Sequence, residues 1–257
     1  MNIDLGCNYR HRMKALLLAA GLGTRLRPLT LQTPKCLLPV GGKPLLAYHL
    51  EALQHIGITD VLINTHYLHE QVDVFVGRYQ EVHPDMRVTT VYEPELLGSA
   101  GTLRQNAAYF ADQEHILVVY ADNFTDIDYR AFIVQHTRAG TIGTIAGYYE
   151  EHPEQKGIMV FTDDHRITAF KEKPKPEEVV SHYANAGMYI LHRQIFDVLG
   201  CLSVAGVLDF GHDVFPALLQ QKQTLSVYLM TEHLLDIGTP ENYALAQVLV
   251  DKMKKNR

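Results

Sequence analysis

Residues 19–35 read AAGLGTRLRPLTLQTPK, and this stretch decides the fold because of what surrounds it. An aliphatic run at 15–19, ALLLA, leads into it, and its unbroken hydrophobicity marks a strand buried on both faces. The run stops at two glycines, an arginine and, ten residues further on, a lysine. Gly21 and Gly23 let the backbone turn with its N–H groups exposed and no Cβ in the way of a ligand. Arg25 and Lys35 set two cations on either side of that turn, where a polyanion is best met. Such a turn at the carboxyl end of a first strand reads as a triphosphate cradle. Two common phosphate motifs are excluded. Leu26 stands where a dinucleotide fingerprint needs its third glycine, and the chain has no G-x4-G-K-[ST] loop.

Outward from the cradle, strand patterns at 61–64, 88–92, 116–120 and 141–148 alternate with helical patterns at 44–56, 69–79, 100–109 and 129–138. In the first helix Leu46, Leu50, Leu53 and Ile56 recur at near-helical spacing. The alternation predicts an α/β fold with a doubly wound, mainly parallel, Rossmann-like sheet and right-handed crossovers. Beyond residue 150 the segments 157–161 and 167–171, joined by TDDHR, predict a small antiparallel hairpin. A strand at 186–192, short helices near 194–199 and 214–221, a strand at 225–230 and an amphipathic helix at 240–254 complete the chain. No low-complexity linker and no second core is evident, so residues 13–257 are expected to form one domain.

The 257 residues suffice for one large α/β domain, and 47% hydrophobic with 20% charged residues is the balance of an ordinary globular protein. A formal net charge of −6 argues against nucleic acid as a partner, so affinity for phosphate has to come from local cations. No apolar run reaches the ~20 residues of a membrane helix, and MNIDLGCNYRHR lacks the apolar core of a signal peptide; a cytoplasmic protein is expected. Three scattered cysteines suit a reducing compartment and argue against a disulfide framework or zinc cluster. Fourteen histidines show no metal-ligand spacing and read as ordinary surface or core imidazoles.

Ligands of open parallel sheets sit outside the carboxyl ends of the strands, and Asp122 falls at such an end. A carboxylate there can hold Mg2+ against phosphates, and a further aspartate, Asp236, stands in DIGTP at 236–240. Thr239 and Pro240 of that element also spell a helix start. The turn at 98–101, LGSAG with its preceding leucine, can present backbone groups to a base edge.

Gly21, Gly23, Thr24, Arg25, Leu26, Pro28, Thr30, Pro34 and Lys35 match G-x-G-T-R-[LM]-x-P-x-T followed by P-K. In this the chain resembles the sugar-1-phosphate nucleotidyltransferases, the pyrophosphorylases that make nucleotide sugars. The resemblance covers about residues 13–250, and it implies that residues 1–12 are a poorly ordered extension. It implies a Mg2+-dependent reaction of an NTP with a sugar 1-phosphate to give NDP-sugar and pyrophosphate. Ala20, Gly21, Gly23, Thr24 and Arg25, with Glu93, Gly98, Ser99, Ala100 and Gly101, would bind the nucleotide. Asp122 and Asp236 would hold the metal, although alanine precedes Asp122 where many relatives carry glycine. The segments AFKEKP at 169–174 and NAG at 185–187 look like the family's E-K-P and N-A-G elements. By that likeness Gly157, Glu172, Lys173 and Asn185 would bind the sugar phosphate. Arg25, Lys35 and Lys173 would be the catalytic cations, and no catalytic histidine is required.

The run LGSAGTL resembles the guanylyltransferase branch, which favours GTP and a manno-configured hexose or heptose 1-phosphate. INTHY at 63–67 also looks like relatives that use UTP on amino-sugar phosphates, and thymidylyl transfer to glucose 1-phosphate stays open. Two rivals stand beside this reading: a metal-dependent glycosyltransferase, whose usual D-x-D is met only by Asp126-x-Asp128 several residues beyond the strand end, and a non-catalytic homologue that binds nucleotide sugar. A helical face at 243–250 could pair two copies into a homo-oligomer.

Overall fold

The computed structural model describes residues 13–202 and 206–255; the extension expected at 1–12 lies outside them. Strand β1 (Met13–Leu18) leads through short 3-10 turns to β2 (Pro39–Val40), β3 (Lys43–Pro44) and α1 (Leu45–Ile56). Next come β4 (Asp60–Thr65), α2 (His69–Val82), β5 (Arg87–Tyr92), α3 (Ser99–Gln105), β6 (His115–Tyr120) and β7 (Asn123–Thr125). Then follow α4 (Tyr129–Ala139), β8 (Gly143–Tyr149), β9 (Gly157–Phe161), β10 (Ile167–Glu172), β11 (Tyr183–His192) and α5 (Ile195–Cys201). The chain closes with α6 (Phe215–Gln220), β12 (Leu225–Leu229), β13 (Leu234–Asp236) and α7 (Pro240–Lys255).

The chain divides into two compact units. One takes the chain up to Leu96, Val119–Ile127 and the chain from His233; the other takes Leu97–Val118 and Asp128–Glu232. In the first unit the end of β6, then β1, β4 and β5, lie side by side in that order. β1 and β4 pair in parallel, as do β4 and β5, with Leu17 opposite Ile63 and Ile63 opposite Thr90. Leu16, Leu17, Val61 and Ile63 are fully buried, as the unbroken aliphatic runs require. Leu46, Leu50 and Leu53 turn one face of α1 into the same core, and the helix stops at Gly57 in a left-handed conformation. The hydroxyl of Tyr243 and the amide of Gln247 donate to the Pro39 carbonyl from α7, while Ala246 and Val250 join Leu26, Leu38, Val40 and Ile237. Much of the face expected to pair copies is thus spent inside this unit, leaving Leu245 and Val248 exposed.

In the second unit β8 pairs antiparallel with β11 and parallel with β12, while β9 joins β11 and β10, both antiparallel. The expected hairpin is therefore β9–β10, set within a larger mixed sheet. α4 starts where the Asp128 carboxylate accepts from the N–H groups of Arg130 and Ala131. The helix expected over 100–109 ends early, at Gln105. Asn106 turns its side chain back onto the Thr102 carbonyl, competing with the helical ladder, and a 3-10 turn follows. Two elements have no counterpart in the sequence reading, the β2–β3 pair and the β7–β13 pair. No helix among the described residues is long and apolar enough to cross a membrane.

Two buried imidazoles give the fold a pH dependence. Burial pushes His136 down to about 3, with His115 and His192 adding to the effect, and burial pushes His49 down to about 4. Unfolded, each titrates near 6.5. Between those values the unfolded chain binds the extra proton, so stability is present above about pH 6.5 and is lost as pH falls. Each histidine contributes a slope of about 1.4 kcal/mol per pH unit in that window. Denaturant unfolding at pH 7 and pH 5 is expected to show a loss of about 2 kcal/mol or more on acidification, and His136→Gln should flatten the profile. A wild-type stability unchanged between the two pH values would contradict this.

Candidate active site

In the first unit the glycine-rich turn follows β1 as expected. Ala19 donates its N–H to the side-chain oxygen of Asn64 at 2.7 Å, which anchors the start of the turn to β4. Asn64 donates in turn to the Glu93 carboxylate at 3.0 Å, and Glu93 is almost fully buried. The space over Gly21 is open, while Gly23 sits at φ +60 against Thr30, whose hydroxyl donates to its carbonyl. A left-handed turn in such close quarters needs glycine. Thr24–Leu26 then form a 3-10 turn that leaves Arg25 exposed.

Asp122 and Asp236 come together although 114 positions separate them (236 − 122). β7 and β13 pair with Asp236 opposite Asn123, and the Ile237 N–H donates to the Asp122 carbonyl at 3.0 Å. Lys35, only 7% exposed, points its ammonium between the two carboxylates, 2.7 Å from Asp122 and 3.4 Å from Asp236. The sequence reading gave this lysine to the phosphates; here its charge is met by the two aspartates. A Cβ on Gly238 would stand 2.8 Å from an Arg25 guanidinium nitrogen and 2.9 Å from Asp236 Oδ1. Gly238 thus lets the arginine approach the carboxylate side. The Thr239 hydroxyl accepts from the Asn242 N–H at 3.3 Å, and so acts as the helix cap its motif suggests.

The Asp126-x-Asp128 pair is otherwise engaged. Asp126 accepts from the N–H and ring of His233, and Asp128 caps α4.

In the second unit the sugar candidates share one row of the sheet. Glu172 lies opposite Gly157 and Asn185 opposite Gly147, and the Ala184–Ile158 bridge makes Asn185 and Gly157 neighbours. Burial raises the proton affinity of Glu172, and the charge of Asp209 adds to that; Lys173, His212 and Lys156 oppose it. Lys173 has φ +45, a strained backbone for a non-glycine residue, fixed by its N–H on the Lys156 carbonyl. Its side chain is exposed. The Asn185 amide donates to the Tyr189 hydroxyl and accepts from the Gly187 N–H, which orients it while leaving acceptor and donor capacity.

The turn at 98–101 departs from its expected use. The N–H groups of Ala100 and Gly101 both donate to the Leu208 carbonyl at 3.0 Å, so these two donors are taken within the chain. Gly98, at φ +82, is required by the approach of Leu208, whose carbonyl oxygen a Cβ would meet at 2.5 Å. Ser99 is not a helix cap: its hydroxyl donates to Asp209 at 2.7 Å and accepts from the Phe210 N–H at 3.0 Å. Asp209 and Gly211 were missed in the sequence reading. D-F-G-H-D, an aspartate two positions before a glycine and ahead of an apolar V-F-P, is the capped-turn signal that marks them.

A family model described as Nucleotidyl transferase matches residues 14–252. The mannose-1-phosphate guanyltransferase of Candida albicans is 32% identical over 234 residues, which are 90% of this chain and 62% of that protein. The Saccharomyces cerevisiae mannose-1-phosphate guanyltransferase is 30% identical over 240 residues, 92% of this chain and 64% of that protein. The chain thus spans about three fifths of the length of these curated relatives. A Bacillus anthracis protein provisionally designated a glucose-1-phosphate thymidylyltransferase, solved with sucrose, superposes with TM-score 0.82 at 27% identity. That match covers 92% of this chain and 94% of the other. HddC from Yersinia pseudotuberculosis, solved with GMP-PN, shares the fold at TM-score 0.72 and 23% identity, covering 93% and 99%.

Proposed function

This chain belongs to the nucleotidyl transferase family, and on that footing we propose that it transfers a nucleotidyl group from an NTP, GTP by preference, to a manno-configured hexose or heptose 1-phosphate. One observation carries the reading: a buried lysine joining two aspartates in the same unit as a glycine-rich turn that carries an arginine.

A phosphate oxygen of the sugar 1-phosphate attacks the α-phosphorus, the bond from that phosphorus to the β-phosphate oxygen breaks, and pyrophosphate leaves with the electron pair. The attacking phosphate is already an anion, so no general base is needed. The protein has to position two anions and neutralise their charge. Arg25 gathers charge developing on the pyrophosphate. Lys35 keeps Asp122 and Asp236 together and limits their repulsion. Lys173 holds the sugar phosphate, and Glu172 and Asn185 meet sugar hydroxyls.

Asp122 and Asp236 suit Mg2+, which takes one or two carboxylates and completes its shell with phosphate oxygens and water. Among the described residues no three His, Cys, Asp or Glu side chains gather to hold a metal by themselves. When bound, the ion would supply further neutralisation of phosphate charge.

The preference for GTP is supported by the curated relatives' names. A second reading, thymidylyl transfer to glucose 1-phosphate, is favoured by the Bacillus anthracis neighbour.

A matrix of GTP, UTP, dTTP and ATP against mannose, glucose and N-acetylglucosamine 1-phosphates and a manno-configured heptose 1-phosphate, with Mg2+, tests both readings. Pyrophosphate release fastest with GTP and a manno sugar is expected. A dTTP–glucose optimum selects the second reading, release of nucleoside diphosphate would indicate a glycosyltransferase, and no turnover with any pair would leave a non-catalytic binder.

A further inference from the structure

Glu172 owes its surroundings to one turn of the second unit. Residues 208–215 read LDFGHDVF, and Phe210–Val214 form a single π-helical turn, a rare form that recurs at functional sites. Asp209 builds it. Its Oδ1 accepts from the N–H groups of Gly211 at 2.8 Å and His212 at 3.2 Å, and its own N–H donates to Asp213 at 2.8 Å. Its Oδ2 accepts the Ser99 hydroxyl at 2.7 Å, and the Ser99 oxygen accepts from the Phe210 N–H. One carboxylate therefore fastens the start of α3 to the backbone at Gly211.

That backbone bears directly on Glu172. Any Cβ on Gly211 would collide with Glu172 Oε2, and a Cβ on Gly157 would lie 2.5 Å from the same oxygen. The Glu172 carboxylate is lodged between two glycine backbones, and it can be placed no more accurately than Gly211 is. Because the colliding atom is the far end of a flexible side chain, a small residue at 211 would move the carboxylate before it disturbed the fold.

We propose that Asp209 is a positioning residue of the sugar 1-phosphate site: by bonding Ser99 and the Gly211 backbone at once, it fixes where the Glu172 carboxylate meets the sugar. The inference rests on the sugar-phosphate role given to Glu172 above. Asp209 touches no substrate in this scheme. Its effect should therefore fall on sugar-phosphate affinity and not on the chemical step.

The test combines steady-state kinetics in the best sugar 1-phosphate with hydrogen exchange over residues 97–101 and 209–214. Asp209→Ala is expected to raise KM for the sugar phosphate about tenfold or more, with kcat within about threefold, and to speed exchange in both segments. Asp209→Asn keeps an oxygen acceptor for the two backbone N–H groups and should recover most of the affinity. Gly211→Ala should raise the same KM while its thermal midpoint stays near that of the wild type. If Asp209→Ala does not fold, Ser99→Ala takes its place, with a rise in KM of about threefold or more expected. An unchanged KM in folded Asp209→Ala, in its Ser99→Ala substitute or in Gly211→Ala overturns the proposal, as does an Asn variant no better than Ala. A wild type that releases no pyrophosphate with any pair overturns the proposed activity instead. Exchange then decides the role of Asp209, and unchanged protection in either segment would overturn it.

Discussion

Replacement of Lys35 by methionine is expected to lower turnover by about two orders of magnitude or more, the scale of losing one preorganised charge-stabilising group. The ammonium is the group that lets Asp122 and Asp236 sit side by side, 2.7 and 3.4 Å from it. Without it two carboxylates face each other. Breaking a fully buried pair costs about 3–5 kcal/mol, but these aspartate side chains are 39% and 30% exposed, so water screens the repulsion. A stability loss of about 1–2 kcal/mol follows, with the fold retained. Thermal scans with and without MgCl2 separate the two roles. Magnesium should raise the midpoint of Lys35→Met by more than it raises that of the wild type, because the variant's carboxylates have lost their resident cation. A folded Lys35→Met enzyme with near-normal turnover would remove the lysine from the mechanism.

Asp122→Ala and Arg25→Ala should each cut turnover at least about a hundredfold while leaving the fold in place. Asp122→Ala leaves Lys35 near Asp236, so the buried ammonium keeps a partner and the structure survives. Arg25 is exposed, with its guanidinium against Gly238, and little packing is lost with it. Pyrophosphate release at saturating substrates, alongside far-ultraviolet circular dichroism, distinguishes a chemical defect from an unfolded one. Retention of more than about a tenth of wild-type turnover in either variant would contradict the assigned role.

The parallel strands and their helices could be read from the chain because each carries its own signal. Residues 15–19 are aliphatic without a break, and Leu46, Leu50 and Leu53 repeat at the helical period, so local pattern and final burial agree. The three-residue strands β7 and β13 carry no period at all, yet they bring Asp122 and Asp236 together. Only likeness to a family could join those two positions in advance. The turn at 98–101 shows the opposite limit. Its composition suggested open N–H groups, and the nearby Leu208 carbonyl takes two of them. Lys35 was read as a cation for phosphates, but a lysine's reach says nothing about which anions it will meet, and here they are Asp122 and Asp236. Asp209 went unnoticed because its partner Ser99 is 110 positions away.

The segment from His233 completes the first unit, and this has a consequence for how the protein is made. Until those residues leave the ribosome, β7 is an unpaired edge, Lys35 lacks one of its two anions, and Leu26, Val40 and Phe124 lack the cover of Ile237, Ala246 and Val250. A nascent chain stalled before Leu234 would carry its cradle but only half of its acidic pair. Pairing of the two carboxylates around Lys35 therefore waits until Leu234–Asp236 have been made.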